Sequence, residues 1–311
     1  MFEELFKEKG FQPQKIFREG PRVYVIGGRL RRNGERDAVF KTPFRSTQEI
    51  TNLHLRHEAL LLHAAPAYLQ KFLPAIYDFG QDGGGRFWYL VEWVKPGQPQ
   101  IIGESDFVMK GDFFTQSNLI WCLEVIAVLR HLSGEIPASF AREISKTVYG
   151  LADYRSLLEP LGKKFFDRET MSAVGRFLDA AEPVYNRANR TTITHHEFYG
   201  SQILSSGKTF KLADWENVGW GNPLRDFTSL WIRAYEHPAW QKKFLEGFRK
   251  DLNIRPEEFE VLFGVEKILQ NFGNLMLFDH SRLPEEVSRR REATEFFRRC
   301  VRETLENYPL I

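Results

Sequence analysis

Hydrophobic and polar positions along this chain repeat with a period near two at first and near 3.6 later. Lys15-Ile-Phe-Arg18 and Arg22-Val-Tyr-Val-Ile26 are short runs of β-branched and aromatic residues flanking Glu19-Gly20-Pro21, which predicts two antiparallel strands joined by a turn. Asn33-Gly34 marks a second turn, and Ala38-Val-Phe-Lys-Thr42 predicts a third strand, ended by Pro43. The spacing then turns helical from Thr47 to about Leu69. Two further strands, Leu73 to Phe79 and Phe87 to Val94, flank Gln81-Asp-Gly-Gly-Gly85, which is hairpin chemistry.

After Lys95-Pro96-Gly97 the pattern is helical almost throughout. Helices are expected over Gln116–Leu132, Ser139–Tyr149, Leu151–Leu161, Arg168–Asn186, Trp240–Asp251, Pro256–Phe278 and Glu285–Tyr308. A strand-and-turn patch from Ile193 to Asp214 interrupts them, and no internal repeat is present. The expected organisation is α+β with two lobes. Residues 1–94 form an antiparallel five-stranded sheet with a helix, residues 95–311 a mainly helical lobe, and Glu92–Gly97 joins them.

Composition narrows the function. The 311 residues carry 43 Lys and Arg against 41 Asp and Glu, a balance that argues against a dedicated nucleic-acid binder. Cys122 and Cys300 are too few for a disulfide framework or a cysteine zinc site. Acidic residues follow Met1 where a signal peptide is basic, and the longest apolar stretch, Leu119 to Leu129, is broken by Glu124. A cytoplasmic protein without membrane partners is expected.

Lys41 is a charged residue in the middle of an apolar strand, on the same face as Val39. Glu58 is the one acid between Thr51 and Gln70 on the helix that follows. Protein kinases hold nucleotide phosphates with a strand lysine paired to a helix glutamate; an edge lysine and a solvated acid are the structural alternative. The second constellation is His195-His-Glu197, four residues, Gln202-Ile-Leu204, a turn, Leu212-Ala-Asp214-Trp-Glu216, and Gly221-Asn-Pro223 followed by Asp226-Phe.

These residues resemble the aminoglycoside phosphotransferase and choline kinase type of protein-kinase-like fold. Its catalytic segment reads His-Gly-Asp, four residues, Asn-Ile-Leu, then Ile-Asp-Trp-Glu, then Gly-Asp-Pro and Asp-Leu. The resemblance runs from about Lys15 to Trp231 and includes Lys41, Glu58, the segment Phe72–Gly80 and the hinge Leu90–Val94 with Gly97. It implies an ATP- or GTP-dependent phosphotransferase acting on a small-molecule hydroxyl, with Mg2+. The hinge backbone of Glu92 and Val94 would hold the base, the turn at Gly20 would cover the phosphates, and Lys41 fixed by Glu58 would neutralise them. Asp214, assisted by Gln202, would hold the metal. Glu197 would act on the acceptor hydroxyl, with His195 and Asp226 supporting the loop.

Three positions depart from the family pattern. Glu197 stands for Asp and Gln202 for Asn, each one methylene longer, and His196 stands for Gly. At Glu197 and Gln202 the functional group is kept but displaced by about 1 Å, a shift able to cost on the order of 10²-fold in rate. A catalytically impaired nucleotide-binding or interaction module on the same fold is therefore the alternative. A protein kinase proper is disfavoured, because Asp214 precedes Trp-Glu rather than Phe-Gly and no Ala-Pro-Glu segment follows. His195-His196 beside Glu197 lacks helical zinc spacing, which leaves a backbone-bonding role favoured over a metal site. The Arg289–Arg291 and Arg298-Arg299 clusters alternate with Glu292, Glu295 and Glu303, the pattern of a salt-bridged solvated face. Residues 231–311 mix both signs and show no acidic cluster that would single out a polyamine acceptor. The acceptor and the oligomeric state stay open.

Overall fold

The structure, a computed structural model, describes residues 2–32, 34–95, 105, 107–144, 150–205 and 209–308, without the side chains of 157 and 161. Asn33, Pro96, Gly97 and the predicted helix end at 145–149 lie outside the described residues. The chain divides into two compact units. One comprises Met1–Ile101, Ile136–Ile144 and Ile203–Val218, and the other Ile102–Glu135, Ser145–Gln202 and Gly219–Ile311. Two segments that follow residue 95 in sequence thus belong to the same unit as the N-terminal sheet.

That sheet contains β1 (Phe11–Glu19), β2 (Val23–Leu30), β3 (Arg36–Pro43), β4 (Ile76–Gln81) and β5 (Phe87–Glu92) in the order β1-β2-β3-β5-β4. Every neighbouring pair is antiparallel. A helix the sequence pattern did not lead us to expect, α1 (Glu3–Lys9), precedes it; its first turn is acidic, its last basic, and Gly10 closes it at φ +67°. Phe2, Leu5 and Phe6 pack on Phe11, Ile26, Leu30, Phe40, Trp88 and Leu90, the core on one face of the sheet. The other face presents Val39 and Lys41 of β3, opposite Val91 and Tyr89 of β5.

The single helix expected from Thr47 to Leu69 is instead α2 (Glu49–Ala64) and the short α3 (Ala67–Gln70). Pro66 separates them, because a proline disfavours helical geometry in the residue before it, and Ala65 is extended at ψ 124°. Pro74 has a similar effect further on: β4 starts at Ile76, not Leu73.

Next comes α4 (Gln116–Leu132), with the ends the pattern predicts; Thr115 Oγ1 caps it by accepting from Asn118 N–H at 3.2 Å. α5 (Ala138–Ile144) belongs to the first unit, whereas α6 (Leu151–Phe165) and α7 (Arg168–Ala188) belong to the second. The short strands β6 (Thr192–Thr194) and β9 (Gly219–Gly221) pair in the second unit. The hairpin of β7 (Ile203–Ser205) and β8 (Phe210–Leu212) belongs to the first. Gly221 faces Thr194 so closely that a Cβ would lie 2.7 Å from Thr194 Oγ1. α8 (Arg225–Arg233), a second unexpected helix, precedes α9 (Pro238–Asp251), α10 (Pro256–His280) and α11 (Pro284–Asn307). α10 is buried on most sides and forms the centre of the second unit. Among the described residues no helix is long and apolar enough to cross a membrane.

Candidate active site

Alternation along β3 directs Lys41 off the sheet face opposite the α1 core. Its Nζ lies 3.1 Å from Glu58 Oε2 on α2 and 2.8 Å from Asp214 Oδ1. Tyr89, directly across from Lys41 in β5, donates its hydroxyl to the same Glu58 carboxylate at 2.5 Å. Burial alone would lower the Lys41 pKa, but Asp214 and Glu58 more than reverse that, so the ammonium holds its proton well above the usual lysine range. Burial raises Glu58, and Lys41 offsets this only in part. Asp214 is the accessible member of the cluster: its side chain is 32% exposed against 4% for Glu58. Its backbone sits in the left-handed region at φ +63°, just after β8 and before a 3-10 turn that Trp215 anchors by donating Nε1–H to Leu212 C=O. Strained backbone of this kind concentrates at functional sites.

The other residues expected to touch nucleotide are in the same unit. Glu92 ends β5, where its carboxylate accepts from Lys211 Nζ at 2.6 Å and from Ala75 N–H at 3.0 Å. Val94 is half-buried two residues further on. Gly20 takes φ +76° in the β1–β2 turn and donates its N–H to Val23 C=O.

In the second unit, the segment from His195 to Gln202 leaves β6 and is held by one stripe of α8. Asp226, Ser229 and Arg233 stand at i, i+3 and i+7. The Asp226 carboxylate accepts the N–H of His195 at 2.7 Å and of His196 at 3.0 Å. Ser229 Oγ donates to Phe198 C=O at 3.3 Å. Arg233 donates to the carbonyl and hydroxyl of Ser229, and its guanidinium lies 4.2 Å from the Tyr199 ring centroid. Burial pushes Asp226 up to about 6 in spite of the two N–H donors. His196 occupies the left-handed region at φ +67°, at the position where the family pattern has glycine. Burial, with Arg225 beside it, pulls its imidazole down to about 3, so the ring is neutral.

Glu197 is half-buried and opens on a cavity of about 360 Å3 whose polar wall includes Tyr199, Arg225, Arg233, Gln270 and Asn274. Gln202 ends a 3-10 turn, its N–H donating to Tyr199 C=O at 3.0 Å. Below the loop, Asn222 donates Nδ2–H to Glu266 at 2.5 Å, and Glu266 holds Arg225 at 3.2 Å. Among the described residues no group of three His, Cys, Asp or Glu side chains is placed to hold a metal.

Comparison with solved structures settles the architecture. Aminoglycoside 2'-phosphotransferase-IIIa in its GDP complex superposes with a TM-score of 0.61 at 16% identity, over 99% of this chain and 97% of that one. The GDP and kanamycin complex of the same enzyme gives 0.62 at 17% identity, over 96% and 97%. The chain has the aminoglycoside phosphotransferase fold. A thermostable mutant of aminoglycoside phosphotransferase APH(4)-Ia with ADP and hygromycin B gives 0.52 at 13% identity, over 96% of this chain and 97% of that one. No protein-family model and no curated protein matches the sequence.

Within this phosphotransferase fold, Lys41, Glu58 and Asp214 come together in the first unit. His195, Glu197 and Asp226 come together in the second. Sequence reasoning missed Tyr89, which reads as one more aromatic in the run Phe87–Val94 until the β3–β5 register sets it against Lys41. It also missed Ser229 and Arg233, whose i, i+3, i+7 spacing from Asp226 was a usable signal for α8.

Proposed function

We propose that the protein is a nucleotide-dependent phosphotransferase acting on a hydroxyl of a small molecule. The observation that carries this reading is Lys41 held between Glu58 and Asp214. A buried ionic triad is a poor stability device, since apolar replacements of similar volume are often neutral or stabilising. A lysine kept charged against burial, beside an accessible carboxylate, is what phosphate oxygens and a hard cation require. The donor set fits Mg2+, which is commonly held by one or two carboxylates together with substrate phosphates. When bound, the nucleoside triphosphate, ATP or GTP, supplies the phosphoryl group and Mg2+ spreads its charge.

The chain's own residues do the remaining work. Lys41, oriented by Glu58 and through it by Tyr89, neutralises phosphate oxygens. Asp214 would offer a carboxylate to the metal, and the family resemblance implies the Gln202 amide oxygen as a further ligand. The backbone at Glu92 and Val94 takes the base, and the Gly20 turn takes the phosphates. Glu197 would take up the proton of the acceptor hydroxyl. His195 and Asp226 hold the loop through its backbone.

A second reading, nucleotide binding without transfer, draws on the longer Glu197 and Gln202 and on His196 at a left-handed position. Thermal unfolding with ATP or GTP, with and without Mg2+, and transfer of labelled γ-phosphate to a panel of hydroxyl compounds separate the two. Stabilisation by nucleotide that disappears in Lys41→Ala supports both readings, by mass action on the folded state. Transfer that disappears in Glu197→Gln supports only the first, and no nucleotide effect at all would overturn both.

A further inference from the structure

The cavity beside Glu197 has a lining that chooses its ligand. Glu197 is the only carboxylate among its described lining residues; Tyr199, Arg225, Arg233, Gln270, Asn274 and the neutral imidazole of His196 make up the rest of its polar wall. Glu266, the partner of Arg225, is fully buried and is not part of that lining. The Arg225–Glu266 pair is therefore close to neutral as seen from the cavity, and Arg233, only 5% exposed, adds a cation. Asn274 is 8% exposed, and its Nδ2 has no hydrogen-bond partner. A buried donor left unmade is costly, and a ligand oxygen would satisfy it. Gln270 spends its amide N–H groups on Arg225 C=O and Glu266, so the cavity's N–H donors are those of the two guanidinium groups and Asn274.

We propose that this cavity receives an acceptor carrying an anionic oxygen group, a carboxylate or a phosphate, beside the hydroxyl that Glu197 deprotonates. The inference rests on the phosphotransferase reading and names its substrate class. Arg233, Arg225 and Asn274 Nδ2 donate to the anionic oxygens. Glu197 takes the hydroxyl proton, the freed oxygen bonds to the γ-phosphorus of the nucleoside triphosphate, and the bond to the bridging oxygen breaks, releasing nucleoside diphosphate. A polycation such as kanamycin would set ammonium donors against guanidinium donors, with Glu197 alone to accept them.

Calorimetric titration of the full chain without nucleotide tests the cavity with four probes: gluconate, glucose 6-phosphate, glucose and kanamycin. At least one of the two anions should bind, and glucose and kanamycin at least about tenfold more weakly, the scale of one hydrogen bond to a charged group. Asn274→Leu, which keeps the branched shape but has no polar atoms, should weaken the anion by about tenfold, and Arg233→Met by at least as much. Arg233 also supports the loop, so Asn274→Leu decides if Arg233→Met does not fold. Equal or tighter binding of glucose or kanamycin, binding of neither anion, or indifference to Asn274→Leu would overturn the proposal. The same probes with labelled ATP keep the two readings apart. Transfer to glucose or kanamycin leaves the phosphotransferase reading standing and removes this inference. Anion binding without any response to nucleotide removes the phosphotransferase reading instead.

Discussion

Asp226→Asn measures what a buried charge costs the loop that carries Glu197. Asp226 is 3% exposed and accepts two backbone N–H groups, and burial still raises it to about 6. In the unfolded chain an aspartate titrates near ~3.9. Between those values the folded protein keeps a proton that the unfolded chain releases. The contribution to stability is therefore fully present below about pH 4 and is lost as pH rises through about 6. Roughly two units at ~1.36 kcal/mol each make this about 3 kcal/mol. His196 works the other way. Its imidazole, held near 3 in the fold, costs stability as pH falls below the ordinary histidine value of ~6.5. The wild-type profile alone therefore partly cancels, and the difference between wild type and Asp226→Asn isolates the carboxylate. Asparagine does not titrate, keeps one acceptor for the two N–H groups, and loses about 1–3 kcal/mol at every pH for the other. Urea unfolding from pH 4 to 7.5, followed by tryptophan fluorescence, should show the wild type ahead at pH 4. By pH 7.5 its lead should have shrunk by about 3 kcal/mol. A difference that stays flat, or that grows with pH, would refute the assignment of a strained buried carboxylate.

Tyr89→Phe removes one donor to the buried Glu58 carboxylate; it should cost about 2 kcal/mol in chemical unfolding and reduce the thermal shift produced by ATP with Mg2+. Glu197→Gln should lower labelled-phosphate transfer by about 10²–10⁴-fold while the nucleotide thermal shift stays at its wild-type value. If the site is rebuilt around longer side chains, Glu197→Asp should also lower transfer, by on the order of 10²-fold, and a rise in rate would show the extra methylene to be a defect. His196→Val puts a β-branched residue at φ +67° and should destabilise by about 1–3 kcal/mol in the same unfolding assay, whereas His196→Gly should stay within about 1 kcal/mol.

Period and turn chemistry were enough to read the five strands and most helices, because each such signal is local. α4 matches at both ends, since its N-cap and its apolar spacing lie in one short window. The Lys41–Glu58 pair was legible for a related reason: a lysine at an apolar strand position and an isolated acid on the next helix each stand out against their neighbours. Proline was under-weighted, and Pro66 and Pro74 account for the split helix and the late start of β4. α1 carries acidic and basic ends and a closing glycine, but at seven residues it is too short for its periodicity to stand out. Tyr89 could not be found from local pattern. Its role depends on β5 pairing with β3 across two intervening helices and β4.

The least legible part of the chain is α8, and it holds the loop that carries Glu197. Its sequence, with Thr228, Ile232 and three aromatic or large apolar residues, has little intrinsic helix preference, so packing rather than propensity makes it a helix. Once formed, a single stripe does two jobs. Asp226 and Ser229 fix the backbone on both sides of Glu197, at residues 195, 196 and 198, so the Glu197 Cα cannot retreat to absorb a longer side chain. The extra methylene must then carry the carboxylate outward, into the cavity that Arg233 lines one turn further along. On the proposed reading, lengthening the base and choosing the acceptor are thus mechanically linked. An acceptor anchored by its anionic group at Arg233 presents its hydroxyl at a distance set by its own carbon skeleton, and only some skeletons will meet a glutamate where an aspartate would fall short. Substrates of graded length between hydroxyl and anionic group should therefore show an optimum in kcat/KM that moves to longer skeletons in Glu197→Asp.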